Sequence, residues 1–235
     1  MKLIDGYKLN NTNFLNESGI LIEHDAGYIS PLDQKKPSVI KEVKLIEGIT
    51  EADPTRLLVY VVLQKFGVKN RNGRIYPEQI LKTQDQLYQQ AIRERRAIGE
   101  LDHPESSVIA GERLSHNIIK TWWEGNTLMG IMEILMTKGY VNMGIVSTKG
   151  DLVAEYLRHD IMIGVSSRGV GSLKEVRGEL IVQDDFELIC WDVVTGPSTP
   201  GSYIFKNKQE AQPYVESVVS KKANLLEGLN KFLLD

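Results

Sequence analysis

Ile161-Met162-Ile163-Gly164-Val165-Ser166-Ser167-Arg168-Gly169 is the stretch on which the reading of this chain turns. Read as a strand, it sorts its side chains by alternation: Ile161, Ile163, Val165 and Ser167 on one face, Met162, Gly164, Ser166 and Arg168 on the other. The first face is apolar and reads as the core side. On the second, Ser166 stands between Gly164, which leaves room for a substrate, and Arg168, which can stabilise negative charge directly or through an ordered water. Gly169 permits close backbone approach, so nearby N–H groups can form part of an oxyanion hole. The same residues also read as a polar strand end turning through Gly169-Val170-Gly171, and Ser-Ser pairs are common.

Working outward, further short strands are expected at Glu179–Gln183 and Phe186–Val194, before a Pro-rich break at Gly196-Pro197-Ser198-Thr199-Pro200. Upstream, a helix is expected over Asp151–His159. Two strands, Asn117–Trp123 and Thr127–Met136, are joined by a hairpin-like turn at Glu124-Gly125-Asn126. Another strand is expected at Gly99–His103. Pro77 opens a helix reaching to Ile98, with Ile80, Leu81, Leu87, Tyr88, Ala91 and Ile92 as its apolar stripe and arginines at its end. Leu57–Leu63 is an apolar, β-branched run that reads as a buried strand, followed by turn chemistry over Lys69–Arg74. Residues 1–55 mix short apolar runs with breaks, and an amphipathic tail over Tyr214–Leu234 reads as an appendage that docks on the body or on a partner. Many short strands with two intervening helices give a β-rich α+β fold, a closed barrel being the expected form.

Composition sets the outer bounds. The chain has 235 residues, 28 Lys+Arg against 31 Asp+Glu, 42% hydrophobic and 25% charged residues, which suits a packed globular protein rather than a disordered one. The slightly acidic balance argues against a broad phosphate-binding surface, so no direct nucleic-acid binding is expected. The lone Cys190 excludes an internal disulfide and a Cys-based zinc cage. No apolar run approaches the roughly 20 residues that span a bilayer, and Met1–Asp5 lacks a secretory apolar core. A soluble protein of a reducing compartment, without membrane association, is expected.

Other groups are candidates for chemistry. In Gly99-Glu100-Leu101-Asp102-His103-Pro104, an extended backbone sends Glu100 and Asp102 to one face and Leu101 and His103 to the other, so carboxylates and imidazole diverge unless the strand bends. His103, at a strand end, is either presented to a cleft or simply packed there. Asp192 lies inside the apolar strand and needs a partner. Two readings stay open: a histidine partner, as in a Ser–His–acid set, or a cap on the turn before Gly196-Pro197. His116 reads as a neighbour of His103 or a surface residue; His24 and His159 have no supporting context. Cys190 reads as a small hydrophobe rather than a nucleophile. No P-loop, HExxH or dinucleotide fingerprint is present.

Taken together, several blocks resemble the prohead core proteases of large tailed bacteriophages. They are Asn70-Arg71-Asn72-Gly73-Arg74-Ile75-Tyr76-Pro77, Gly99–Pro104, Trp122–Asn126, Gly164–Leu173 and Gly196-Pro197-Ser198, and they cover residues 57–205. The resemblance implies a serine endopeptidase with a fold similar to herpesvirus assemblin, a closed or partly open β-barrel surrounded by helices. It implies Ser166 as nucleophile and His103 as base, with Arg168 and Gly169 near the oxyanion. The third member varies among relatives; with no histidine after His159, Asp192 is the choice, with Asp185 and Glu187 behind it. The implied division is a protease domain over 1–205 and a tail over 206–235. Implied substrates are scaffold or core proteins and the major capsid protein precursor, inside a prohead assembled in the bacterial host cytoplasm. They would be cut after glutamate in short hydrophobic-x-Glu motifs. Such motifs occur at Leu45-Ile46-Glu47 and Leu225-Leu226-Glu227, so self-cleavage after Glu227 and Glu47 is expected. A homo-oligomer and no cofactor or metal are expected. The rival readings are a non-catalytic scaffold or adaptor, and a metal-dependent hydrolase built on Asp102, His103 and His116.

Overall fold

The computed structural model describes residues 19–22, 56–104, 106–205 and 208–216. The fold is α+β, mostly sheet. The strands are β1 (Gly19–Ile22), β2 (Leu57–Lys65), β3 (Arg74–Ile75), β4 (Ile98–Glu100), β5 (Leu114–Glu124), β6 (Thr127–Ile134), β7 (Gly164–Gly171), β8 (Leu173–Val176), β9 (Glu179–Val182), β10 (Glu187–Val194) and β11 (Ile204–Phe205). The helices are α1 (Glu78–Arg93), α2 (Lys138–Met143), α3 (Lys149–Arg158) and α4 (Lys208–Glu216).

The strands form three sheets: β11-β2-β6-β5-β4, β1-β7-β10 and β3-β9-β8. The expected closed barrel is not formed among the described residues. Instead, isolated bridges touch the first two sheets together at single residues, Leu101 to Val193 and Gly164 to Tyr203. Between these sheets lies the main core, where Val59, Val61, Leu63, Ile118 and Met132 meet Val165, Trp191 and Val193. Each of these is essentially inaccessible to water, and a fully buried side chain of this size stabilises by roughly 1.5–3 kcal/mol.

The β2 run, the Gly125 hairpin and the Gly73 turn lie where the residue pattern places them, with φ of 59° and 77° at the two glycines. Helix α1 is shorter than expected. Arg95 adopts φ 55°, the helix ends at Arg93, and Ile98 begins β4. Its buried face is Leu81, Asp85 and Tyr88, whereas Leu87, assigned to the apolar stripe, is 64% exposed. Asp85 is tolerated there because Trp123 Nε1, Thr121 Oγ1 and Gln89 Nε2 donate to its carboxylate.

Helix α2, unexpected, is capped by Thr137 at its start and by left-handed Gly144 at its end. Strand β7 begins at Gly164, so Ile161, expected on the core side, is exposed. The first part of the tail is α4, whose Ala211 and Val215 are buried with Tyr203 and Phe205, and Lys65 Nζ donates to the Tyr214 carbonyl at 2.6 Å. The tail beyond Glu216, with Glu227, lies outside the described residues, as do Glu47 and His24. Among the described residues no helix is long and apolar enough to cross a membrane.

Candidate active site

The site is built on the antiparallel β7–β10 ladder. Residues directly opposite in such a pair share a face, with Cβ atoms roughly 4.5–5.5 Å apart. Asp192 is opposite Ser166, Cys190 is opposite Arg168, and Trp191 is opposite Ser167. One face therefore carries Ser166, Arg168, Cys190 and Asp192. The other carries Val165, Ser167, Trp191 and Val193 and packs into the core. This register depends on a bulge between Leu188 and Cys190. Leu188 is opposite Gly169, so continuing that register without the bulge would set Asp192 opposite Val165, on the core face.

His103 reaches this face because its strand does bend. Leu101 bridges in parallel to Val193, Asp102 takes φ 67°, and the Asp102 N–H donates to the Val193 carbonyl at 2.8 Å. The left-handed residue breaks the alternation that would have sent His103 away from Glu100. His103 Nδ1 then lies 2.8 Å from Asp192 Oδ2, with both side chains fully buried. Because a carboxylate only accepts, Nδ1 carries a proton, so that when the ring gives up a proton the lone pair is left on Nε2.

Asp192 is the centre of a buried ionic cluster. Its Oδ1 accepts from the Glu100 N–H at 2.9 Å, from Arg168 Nη2 at 3.2 Å and from the Cys190 thiol at 3.3 Å. Arg168 Nε lies 2.9 Å from Oδ2, close enough for an ion pair although not aligned as a hydrogen bond. Burial alone would raise the Asp192 pKa. The His103 hydrogen bond and charge, the Arg168 charge and the Glu100 amide outweigh it and hold the carboxyl below its ordinary value. Glu100, 3.6 Å from Arg168 Nη2, accepts from the Ala110 N–H, and Arg168 Nη1 donates to the Ser106 carbonyl at 2.8 Å. The segment following His103 is thus tied to the same cluster.

Ser166 is 2% exposed, and its hydroxyl accepts from the Ser198 N–H at 3.1 Å. That amide, rather than the imidazole, is its described hydrogen-bond partner. The Arg168 guanidinium turns to Asp192, where the carboxylate offsets part of the cost of burying the cation. The space expected beside Gly164 for a substrate is filled: a Cβ there would collide with the Ser202 carbonyl and the Pro197 ring. A Cβ at Gly169 would collide with the Phe186 ring and the Glu187 carbonyl.

Of the other candidates, Asp185 caps Ser172 and Glu187 is exposed, both apart from His103's carboxylate partner. His116 is not a surface residue: it is fully buried between Ser115 Oγ and the Trp191 carbonyl, each at 2.9 Å, and burial lowers its pKa to about 4. Asp102 is exposed, and no group of three or more metal-ligating side chains is found among the described residues. The metal reading has no converging donor set there. Cys190 is buried, and burial pushes its thiol well up, as expected for an unreactive group. His159 is exposed and pairs with Glu155. The parts that sequence reasoning missed are the Glu100 amide, the guanidinium of Arg168 as a partner of the acid, and Ser198. Only the turn residues around Pro197 hinted at the last.

Known proteins resemble this chain in sequence and in fold. The family model for the prohead core protein serine protease matches residues 21–212. The chain is 32% identical over 152 residues to the prohead core protein protease of Enterobacteria phage T4, covering 63% of this chain and 68% of that protein. It is similar in structure to the bacteriophage T4 capsid assembly protease gp21, with a TM-score of 0.61 and 27% identity, covering 77% of this chain and 100% of that one.

Proposed function

Because this chain belongs to the prohead core protein serine protease family, we propose that Ser166, His103 and Asp192 are its catalytic nucleophile, base and orienting acid. The observation that carries the reading is the single carboxylate that binds His103 Nδ1 at 2.8 Å while standing opposite Ser166 in the ladder. His103 Nε2 takes the Ser166 proton as Oγ attacks a peptide carbonyl, then gives it to the leaving amine, leaving an acyl-enzyme. Water, deprotonated by the same nitrogen, releases the acyl group. Asp192 holds the tautomer and balances the imidazolium, and Arg168 keeps Asp192 ionised. Catalytic Ser–His contacts commonly tighten only with substrate, which fits a hydroxyl that rests on Ser198 here.

The substrates are phage core or scaffold proteins and the major capsid protein precursor, cut after glutamate inside the prohead within the bacterial host. Self-cleavage after Glu227 and Glu47 trims the chain, and a homo-oligomer is the working form. The bridges at Leu101–Val193 and Gly164–Tyr203 are the seams of a partly open, assemblin-like barrel.

The test is co-expression of the native chain or Ser166→Ala with core and capsid proteins, followed by mass spectrometry of all termini. Native protein yields new termini following glutamate, and Ser166→Ala yields none. Identical termini in the two would end the reading and favour the scaffold alternative.

A further inference from the structure

The Pro197–Ser198 peptide unit is held from both sides. Its N–H donates to Ser166 Oγ at 3.1 Å, and its carbonyl accepts from Arg71 Nη1 at 3.2 Å. In a trans peptide these two groups point in opposite directions, so the guanidinium and the serine hydroxyl pull on opposite ends of one dipole. The Arg71 backbone N–H also donates to the Ser198 carbonyl at 3.0 Å, which fixes the next peptide as well. Arg71 is itself held by a tight turn. Asn70 Oδ1 accepts from the Asn72 and Arg74 amides at 3.0 and 2.9 Å, and Gly73 N–H donates to the Asn70 carbonyl at 3.0 Å. On the far side, the Pro197 ring sits where a side chain at Gly164 would be.

We infer that Arg71 is a positioning residue for catalysis, acting through the Pro197–Ser198 peptide to aim and polarise the N–H that serves the Ser166 oxygen. This rests on the assignment of Ser166 as nucleophile. A positive charge on the carbonyl end of a peptide strengthens its N–H as a donor. It also prevents the peptide from rotating its carbonyl toward the serine, which would remove the donor and place a negative end where negative charge develops. The N–H is placed to stabilise the oxygen as it attacks and, with a small shift, the oxyanion beside it. The loop over 196–202 carries this donor, while Arg71, more than a hundred residues earlier in the chain, sets its direction.

The experiment is the rate of covalent labelling by a fluorophosphonate, in which Ser166 Oγ displaces fluoride at phosphorus and its proton passes to His103. Native protein, Ser166→Ala, Arg71→Ala, Arg71→Lys and Arg71→Gln are compared, each with its melting temperature. Removal of a well-placed donor typically costs 10²–10³-fold, so disorienting it in Arg71→Ala is expected to slow the maximal labelling rate about 10–100-fold. The half-saturating probe concentration stays within about threefold, since probe binding is not the affected step. Arg71→Lys, which keeps the charge, restores most of the rate, and free guanidinium rescues Arg71→Ala. Should Arg71→Ala lose its fold, the pair Arg71→Lys and Arg71→Gln decides: lysine faster supports the inference, equal rates overturn it. A native rate in a stably folded Arg71→Ala also overturns it. Labelling of Ser166→Ala would instead sink the nucleophile assignment itself.

Discussion

Two buried aspartates in this molecule look alike and are held by different partners. Asp151, at the start of α3, and Asp192, in β10, are both fully inaccessible, and both carboxyls are held below their ordinary pKa, Asp151 at about 2. Asp151 opposes the upward push of burial with neutral donors alone: Thr137 N–H at 2.7 Å and hydroxyl at 3.0 Å, Ser147 N–H and hydroxyl at 3.0 Å, and Thr148 N–H at 3.1 Å. Asp192 uses an amide and a thiol, but also a guanidinium and an imidazole. Satisfaction of a buried charge therefore does not mark a reactive site. What sets Asp192 apart is a partner that can itself exchange a proton, on the same face as a hydroxyl.

The contrast breaks most sharply at Asp192→Asn. Losing the acceptor for His103 Nδ1–H favours the wrong tautomer, and peptide cleavage is expected to fall by about 10⁴-fold. Asp151→Asn should leave cleavage within a few-fold of native. Comparable cleavage losses in the two variants would dissolve the distinction.

A second buried imidazole sharpens it. His116 has a folded-state pKa of about 4 against an ordinary 6.5, so below pH 6.5 the unfolded chain binds a proton that the native state refuses. Stability should fall as pH drops from 6.5 toward 4, by roughly 3 kcal/mol in all. Denaturant titrations at pH 7 and pH 4.5 measure this, and His116→Gln should flatten the dependence. Parallel behaviour of variant and native protein would show that another group is responsible.

At Asp151 the expectation concerns stability alone. Asp151→Ala leaves buried donors unpaired and removes the carboxylate half of the capping box, which costs about 1–3 kcal/mol in denaturant unfolding. The native carboxylate contribution is present above pH 3.8 and lost as pH falls through about 2, because the folded value is the lower one. An unchanged midpoint would mean that the Thr137, Ser147 and Thr148 donors find other partners. The smallest effect is expected at Arg158, whose side chain is 61% exposed in its pairing with Glu155. Arg158→Ala should leave the melting midpoint essentially where it is, and a clear shift would make this surface pair exceptional.

The sequence carried the parts of this molecule that depend on neighbours. Thr148 and Asp151 cap α3 within three residues, a signature present in the chain even though the helix was expected to start at Asp151. The β2 run and the Glu124–Thr127 hairpin follow from local propensity and turn chemistry. Alternation along β7 separated Ser166 from Ser167, and the ladder puts Ser167 on the Trp191 face. The end of α1 is not legible in the sequence, because Arg95 takes a left-handed conformation that nothing in Arg93–Ile98 announces.

What local pattern could not decide is how strands from distant parts of the chain are phased against one another. Side chains alternate with period two, so one extra residue between Leu188 and Cys190 moves Asp192 from the core face to that of Ser166. One positive φ at Asp102 likewise turns His103 toward a carboxylate 89 positions further on. Residue types and their spacing named the chemical groups. Their convergence came from backbone irregularities stabilised only when β4, β7 and β10 pack together, because a bulge or a left-handed aspartate is costly alone and holds only against the partner strands that it serves.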